Sequence, residues 1–230
     1  MKITSFFGLS LVLILFISCN NISEKFLKVY INDKRLLLSK SDNIREIYEG
    51  NDRVFTEVFY GDKRELKEIR NYNGTNLFGD NLFFKNGILL SYYFMTNDIN
   101  TSYEIKFNDK GKVVYELGTP IVYEELSQDT TKDSVQIDMV LCKAVFKDLH
   151  LKCSIDGKNY QESKLQNGNS NQKYINNYIA RYAFPIPLKK NNKKDVNICL
   201  YRIIKGKTIY GEIKEYNDTL HTYIRNKYLK

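Results

Sequence analysis

Between residues 29 and 118 one pattern returns four times: an aromatic strand end, a polar turn, and a second apolar strand. The copies are Val29–Leu36, Val58–Leu66, Leu82–Leu89 and Ile105–Val113. Phe59, Phe83 and Phe107 hold the same place at a spacing of 24 residues, and the step from Tyr30 to Phe59 is 29. The turns are rich in Asn, Asp and Gly, which accept the positive φ that tight hairpins need. The flanks are rich in Val, Ile, Phe and Tyr, which suit a pleated, half-buried surface. One hairpin is marginal in water, but consecutive hairpins share a sheet face and bury it. The pattern therefore predicts an all-β fold that opens with an antiparallel meander of about eight strands over 29–118.

The rest of the chain is read against that start. Gly118-Thr119-Pro120 is a breaker, and residues 127–134 contain no apolar side chain, so 119–134 reads as a linker. Residues 135–230 read as a second β-unit. Its strands are Val135–Val145, His150–Ile155 and Tyr174–Leu188, with a long polar loop over 161–173. A hairpin follows, from Val196–Ile204 through Lys205-Gly206-Lys207 to Thr208–Tyr216, and Asn217-Asp218 turns into a last strand. Six or seven short strands in this length resemble an Ig-like sandwich, without the Cys…Trp…Cys pattern of antibody domains. That likeness concerns fold and implies no function. With 43% apolar residues, three Pro, 18 Tyr and 13 Phe, the chain has the composition to bury a core without staples.

Residues 1–19 carry an address. Met1-Lys2 is followed by an apolar run from Ile3 to Ile17 and then Ser18-Cys19, after which Asn20-Asn21 is polar. The run is short for a membrane span, which needs about 20 residues, and has the length of a signal-peptide core. An apolar run, a small residue and a Cys resemble the lipobox of bacterial lipoproteins. That resemblance implies removal of residues 1–18 and lipidation of Cys19. Residues 19–28 become a tether, and the protein is held in the cell envelope, on the periplasmic or surface side of a bacterial inner or outer membrane. Acyl anchoring is stable when more than one chain is attached. A tether of about seven residues reaches roughly 25 Å. This predicts a hairpin unit close to the membrane and a sandwich whose loops and edges meet the partner. The hairpin copies resemble divergent MORN-type repeats, which implies a surface or antitoxin-like protein.

Charge and chemistry narrow the function. The chain carries +8, and +7 once the leader and Lys2 are removed. That charge fits an anionic lipid or glycan surface, and also plain solubility. Lys189-Lys190-Asn191-Asn192-Lys193-Lys194 has no interleaved aromatic and reads as a solvated loop. Cys142, Cys153 and Cys199 remain after processing. Cys142 and Cys153 lie in adjacent expected strands and bridge if the register sets them opposite; otherwise all three are buried thiols. No CxxC or Cys/His spacing suggests a metal site, and no nucleotide-binding loop is present.

Catalytic groupings are few. His150 and His221 stand alone, and a Cys153–His221 pair has no visible orienting group. The carboxylates Asp52 with Glu57, Glu124-Glu125, and Glu212 with Glu215 read as solvated faces rather than as a glycosidase pair. Asn32-Asp33, Gly61-Asp62, Asn108-Asp109 and Asn217-Asp218 read as turns. No catalytic residue, cofactor or metal is expected. Tyr92 and Tyr93 sit on opposite faces of one strand, and either is a candidate ligand-facing aromatic.

The expectation is a non-catalytic, lipid-anchored envelope protein that binds or scaffolds a protein partner. Two other readings are an immunity or antitoxin-like protein and a glycan-binding lipoprotein. Nucleic acid is not an expected partner.

Overall fold

The computed structural model describes residues 23, 26–28, 31, 35–36, 45–49, 54–96, 101–129, 134–163, 165–167, 177–185 and 196–224. They belong to two compact units, Met1–Gly118 and Thr119–Lys230. The leader, Cys19 and the lysine-rich run at 189–194 lie outside the described residues.

The first unit is one antiparallel sheet. Its strands are β1 (Arg35–Leu36), β2 (Arg45–Glu49), β3 (Val54–Tyr60), β4 (Leu66–Asn73), β5 (Asn76–Leu77), β6 (Gly79–Lys85), β7 (Ile88–Met95), β8 (Thr101–Phe107) and β9 (Val113–Gly118). They run in chain order across nine strands, with β5 folded onto β4 beside the main path. This is the meander that the repeat predicts. Its register aligns Val58, Ile69, Leu82, Tyr92 and Ile105 in one row across five strands, and all five are fully buried. Burying each such side chain contributes about 1.5–3 kcal/mol, so this row is the spine of the unit.

The hairpins repeat down to their defects. In β3–β4, β6–β7 and β8–β9 the register slips by one residue beside the turn, at Phe59/Tyr60, Phe83/Phe84 and Lys106/Phe107. Each slip is a bulge that leaves one extra residue on the returning strand. Phe59, Phe83 and Lys106 are therefore the structurally equivalent positions. Phe107 falls past its bulge and is buried, so the sequence interval misaligns the third copy by one. A two-residue turn at Asn86-Gly87 joins β6 to β7, where φ is 52° and 76°. Two successive positive φ values define the hairpin turn that Asn-Gly favours.

The first copy departs from expectation. Among its described residues Arg35–Leu36 is strand and Ile31 is helical, as are residues 26–28 before it. Phe26 is buried and its ring lies 5.8 Å from that of Phe84. Phe26 is thus packed into the body of the first unit.

The second unit is a sandwich. Its strands are β10 (Ile121–Asp129), β11 (Ser134–Cys142), β12 (Phe146–Ser154), β13 (Gln161–Glu162), β14 (Gln166–Asn167), β15 (Asn177–Pro185), β16 (Val196–Thr208) and β17 (Ile213–Ile224). One sheet has the order β10-β11-β15-β14 and the other β13-β12-β16-β17. Lettered A, B, C, C′, D, E, F and G along the chain, these are the A-B-E-D and C′-C-F-G sheets of an Ig-like fold.

Several boundaries move. Most of the 119–134 linker is strand β10, paired with β11 from Ile121–Leu141 to Asp129–Ser134. Its polar stretch reads as a linker in sequence because an edge strand's exposed face needs no apolar residues. The hairpin turn lies at 209–212, not at Lys205-Gly206-Lys207: Thr208 N–H bonds the Glu212 carbonyl at 2.8 Å. Asn217-Asp218 is inside β17, where the two residues pair with Ile203 and Arg202. The long loop at 161–173 contains the two short strands β13 and β14.

The Cys142–Cys153 bridge that a facing register would allow is not formed: Cys142 ends β11 in one sheet, Cys153 lies on β12 in the other, and both are buried and unbridged. Consecutive strands B and C of such a sandwich change sheet, so adjacency in sequence does not become pairing.

Candidate functional site

Among the described residues, the side chains of the sequence-derived groupings have other partners. The register sets His221 opposite Cys199, not Cys153. Cys153 is buried, and that burial pushes its thiol up to about 12, so it is no nucleophile at neutral pH. His150 lies 3.4 Å from Glu162, which Lys152 also approaches at 3.6 Å. Glu124 is bonded to Arg202, Glu215 to Lys205 at 2.8 Å, and Glu212 lies 4.0 Å from Lys214. Asp52 lies outside the described residues. Among the described residues there is no group of three or more metal-binding side chains, and no helix long and apolar enough to cross a membrane. Asn108 is a turn residue as expected: its Oδ1 accepts from the N–H groups of Lys110 and Lys112, both at 3.0 Å.

Tyr92 and Tyr93 point to opposite faces of β7, and the difference decides their roles. Tyr92 is fully buried, donates to Asp80 Oδ1 at 2.5 Å, and packs against Tyr103 at 6.1 Å between ring centroids. It belongs to the core and faces no ligand. It sits in a buried polar network in which Thr56 Oγ1 donates to Asn71 Oδ1 at 2.6 Å, and the Asn71 amide donates to the Asp80 carbonyl. Tyr93 looks the other way, onto the outer face of the sheet, and is half-buried. Burial raises its phenol pKa, and Glu68 adds to the rise while Arg70 opposes it. The hydroxyl therefore stays protonated and available as a donor.

The outer face has a definite composition. One row runs Arg45, Phe59, Glu68, Phe83, Ser91, Lys106 and Tyr115 across β2, β3, β4, β6, β7, β8 and β9. A neighbouring row runs Tyr93, Glu104 and Leu117. Phe83 is 43% exposed, Tyr115 42% and Leu117 49%. These apolar groups are interleaved with matched charges. Arg70 makes two bonds to Glu68, at 2.7 and 3.0 Å. Lys106 meets Glu104 at 2.9 Å, and Arg45 meets Glu57 at 3.5 Å. Two of these cations also cover rings: Arg70 lies 4.9 Å from the centroid of Phe59, and Lys106 4.7 Å from that of Tyr115. Phe55 and Tyr72 stack at 4.6 Å, and Tyr72 donates to Glu57 at 2.9 Å.

Exposed ion pairs of this kind each contribute about 0–1 kcal/mol, so stability alone does not account for their density. Their chemical consequence is local charge balance around the rings. In a chain of net charge +8, Arg45, Arg70 and Lys106 each hold a carboxylate here. Aromatic rings and Arg among balanced charges are the ingredients of protein interfaces. Alternation along the strand singles out Tyr93 but not its neighbours on the face. The signal was present as Glu68-x-Arg70 and Glu104-x-Lys106, two residues apart and so on one face of a strand.

No protein-family model, no curated protein and no solved structure matches this chain.

Proposed function

We propose that this chain is a non-catalytic, lipid-anchored protein of the cell envelope that binds a partner protein through the outer face of its hairpin sheet. The observation that carries the reading is the charge-balanced aromatic face around Phe83, Tyr93 and Tyr115. A nucleic acid or acidic polymer needs surplus positive charge, and Arg45, Arg70 and Lys106 among these rings are each paired with a carboxylate. A stacked sugar needs free ring faces, and Arg70 and Lys106 each occupy one face of Phe59 and of Tyr115, two of the rings here. A protein partner needs rigid aromatic anchors with a polar surround, which this face offers. The immunity-like reading uses the same face, with a toxin as the partner. The anchor rests on the lipobox-like end of the leader at Ser18-Cys19.

Two experiments test the two halves. Cys19→Ala should leave the leader uncleaved or release the protein from membranes; a variant still processed and membrane-bound contradicts the anchor. Replacing Phe83, Tyr93 and Tyr115 together by Ala should abolish a partner captured by gentle cross-linking on intact membranes while leaving the β-sheet circular dichroism unchanged. Capture undiminished in a folded variant contradicts the binding face.

A further inference from the structure

The described sheets end in six edge strands, and most are protected. β1, β13 and β14 have two residues each, and β10 carries a register slip between Ile121 and Tyr123. Shortness and bulges are the usual means of preventing a sheet edge from recruiting another strand. β9 is six residues long and closes on Gly118, the last residue of its unit. β17 is different. It has twelve residues, lacks Pro and Gly, and pairs with β16 residue for residue over its whole length without a slip.

We propose that β17 is a self-association edge, and that a second copy of this chain adds its own β17 antiparallel to it. The hairpin geometry fixes which groups face out. The bond from Thr208 N–H to the Glu212 carbonyl makes 208 and 212 a hydrogen-bonded pair. Pairs alternate along an antiparallel ladder, so the even residues of β17 bond to β16. The N–H and C=O groups of residues 213, 215, 217, 219, 221 and 223 then point away from the sheet; the Thr219 N–H donates to Asp218 Oδ1 at 2.7 Å and exchanges that acceptor for the partner strand's carbonyl. The side chains of those same residues are exposed.

The occupant follows from the order of the side chains. Set two copies about a two-fold axis at Asp218. Glu215 then lies opposite His221, Asn217 opposite Thr219, and Ile213 opposite Tyr223, each pair occurring twice. An acid meets an imidazole, an amide meets a hydroxyl, and an aliphatic side chain meets a ring. Cross-strand pairs of these kinds are the units that stabilise a sheet. On the other side of the strand Tyr216 faces Leu220. Asp218 faces its own copy, with its charge already met by Arg202. Moving the axis by one residue sets Glu215 against Thr219 or Tyr223 and loses the acid–imidazole match. Glu215 also holds Lys205 at 2.8 Å, and a carboxylate has acceptor capacity for both. The exposure of Ile213 (70%) and Tyr223 (59%) at the two ends of β17 is what this arrangement covers. The product is an isologous dimer with one continuous eight-stranded sheet.

The test is the mass of the full-length chain by sedimentation equilibrium in density-matched detergent. The wild type should be a dimer that dissociates on dilution. Thr219→Pro removes an outward N–H at the centre of the edge and should give a monomer. Glu215→Lys sets Lys against His221 and should raise the dissociation constant by about tenfold or more. Adding His221→Glu to it should restore dimerisation, which a merely misfolded variant would not do. A wild-type chain monomeric at every concentration overturns the proposal. So does a dimer indifferent to Thr219→Pro and Glu215→Lys, or a Glu215→Lys defect that His221→Glu leaves unrepaired.

Discussion

Tyr182 on β15 donates its hydroxyl hydrogen to the main-chain carbonyl of Leu151 on β12, 2.6 Å away, and this bond ties one sheet of the sandwich to the other. Burial is the main reason its phenol pKa is raised, so the donor is retained well into alkaline solution. Ser163 N–H reaches the same carbonyl only at 3.4 Å. Tyr182→Phe should therefore cost about 1–3 kcal/mol, the usual effect of leaving a buried acceptor poorly satisfied. Urea denaturation should show a lower midpoint with an unchanged slope.

Arg202 makes the second link. It is 5% exposed, bonds Glu124 on β10 and Asp218 on β17, and so joins three strands. Glu124 and Asp218 are 26% and 31% exposed, so water can reach both. The two sides of the triad should therefore respond unequally. Glu124→Gln with Asp218→Asn strands a buried guanidinium and should cost about 3–5 kcal/mol. Arg202→Met leaves two carboxylates that water can solvate and should cost less. Denaturant unfolding of both variants checks the order.

The thiols give a third expectation. Cys142 and Cys153 are buried, and Cys199 is partly exposed. A thiol reagent should modify Cys199 in the native protein and leave the other two until unfolding, and Cys199→Ser should abolish native labelling. With Cys19 acylated as proposed, the unfolded protein should titrate three thiols of the four in the full sequence; four would contradict the proposed lipidation.

How much of this was legible beforehand depends on what each element has to bury. The meander was readable because each hairpin carries its turn residues and apolar strands locally, as at Asn86-Gly87. The strand-to-strand bulges were not, so Phe107 was grouped with Phe59 and Phe83 although Lys106 is their equivalent. In the sandwich, strand number was readable and strand ends were not. Asn217-Asp218 looks like a turn in isolation, but β16 supplies a full-length partner and Arg202 a counter-charge. β10 hid for the same reason: its second half is polar, and only its pairing with β11 makes it a strand. At the outer face of the hairpin sheet, period-two alternation separates Tyr92 from Tyr93 without showing which is inside. The register with Leu82 and Ile105 decides that.

Tyr92 and Tyr93 supply a fourth expectation, in which neighbours behave oppositely. Tyr92→Phe removes the bond to buried Asp80 and should lower stability by about 1–3 kcal/mol, with partner binding by the folded fraction unchanged. Tyr93→Ala should leave the unfolding midpoint within about 1 kcal/mol of wild type, as surface changes do, and weaken partner capture. Thermal unfolding and cross-linking of the two variants side by side separate a core role from a contact role.

The central claim is that the outer face of the hairpin sheet meets a protein. The most direct measurement places a photo-activatable phenylalanine at position 83 and, separately, at position 84, in the membrane-anchored protein of intact cells. Phe83 is 43% exposed on that face, and Phe84, its neighbour in the chain, is 1% exposed in the core. The account predicts one discrete protein adduct from position 83 and none from position 84. No adduct from position 83, with an adduct instead from a sandwich position such as Tyr160, would contradict it.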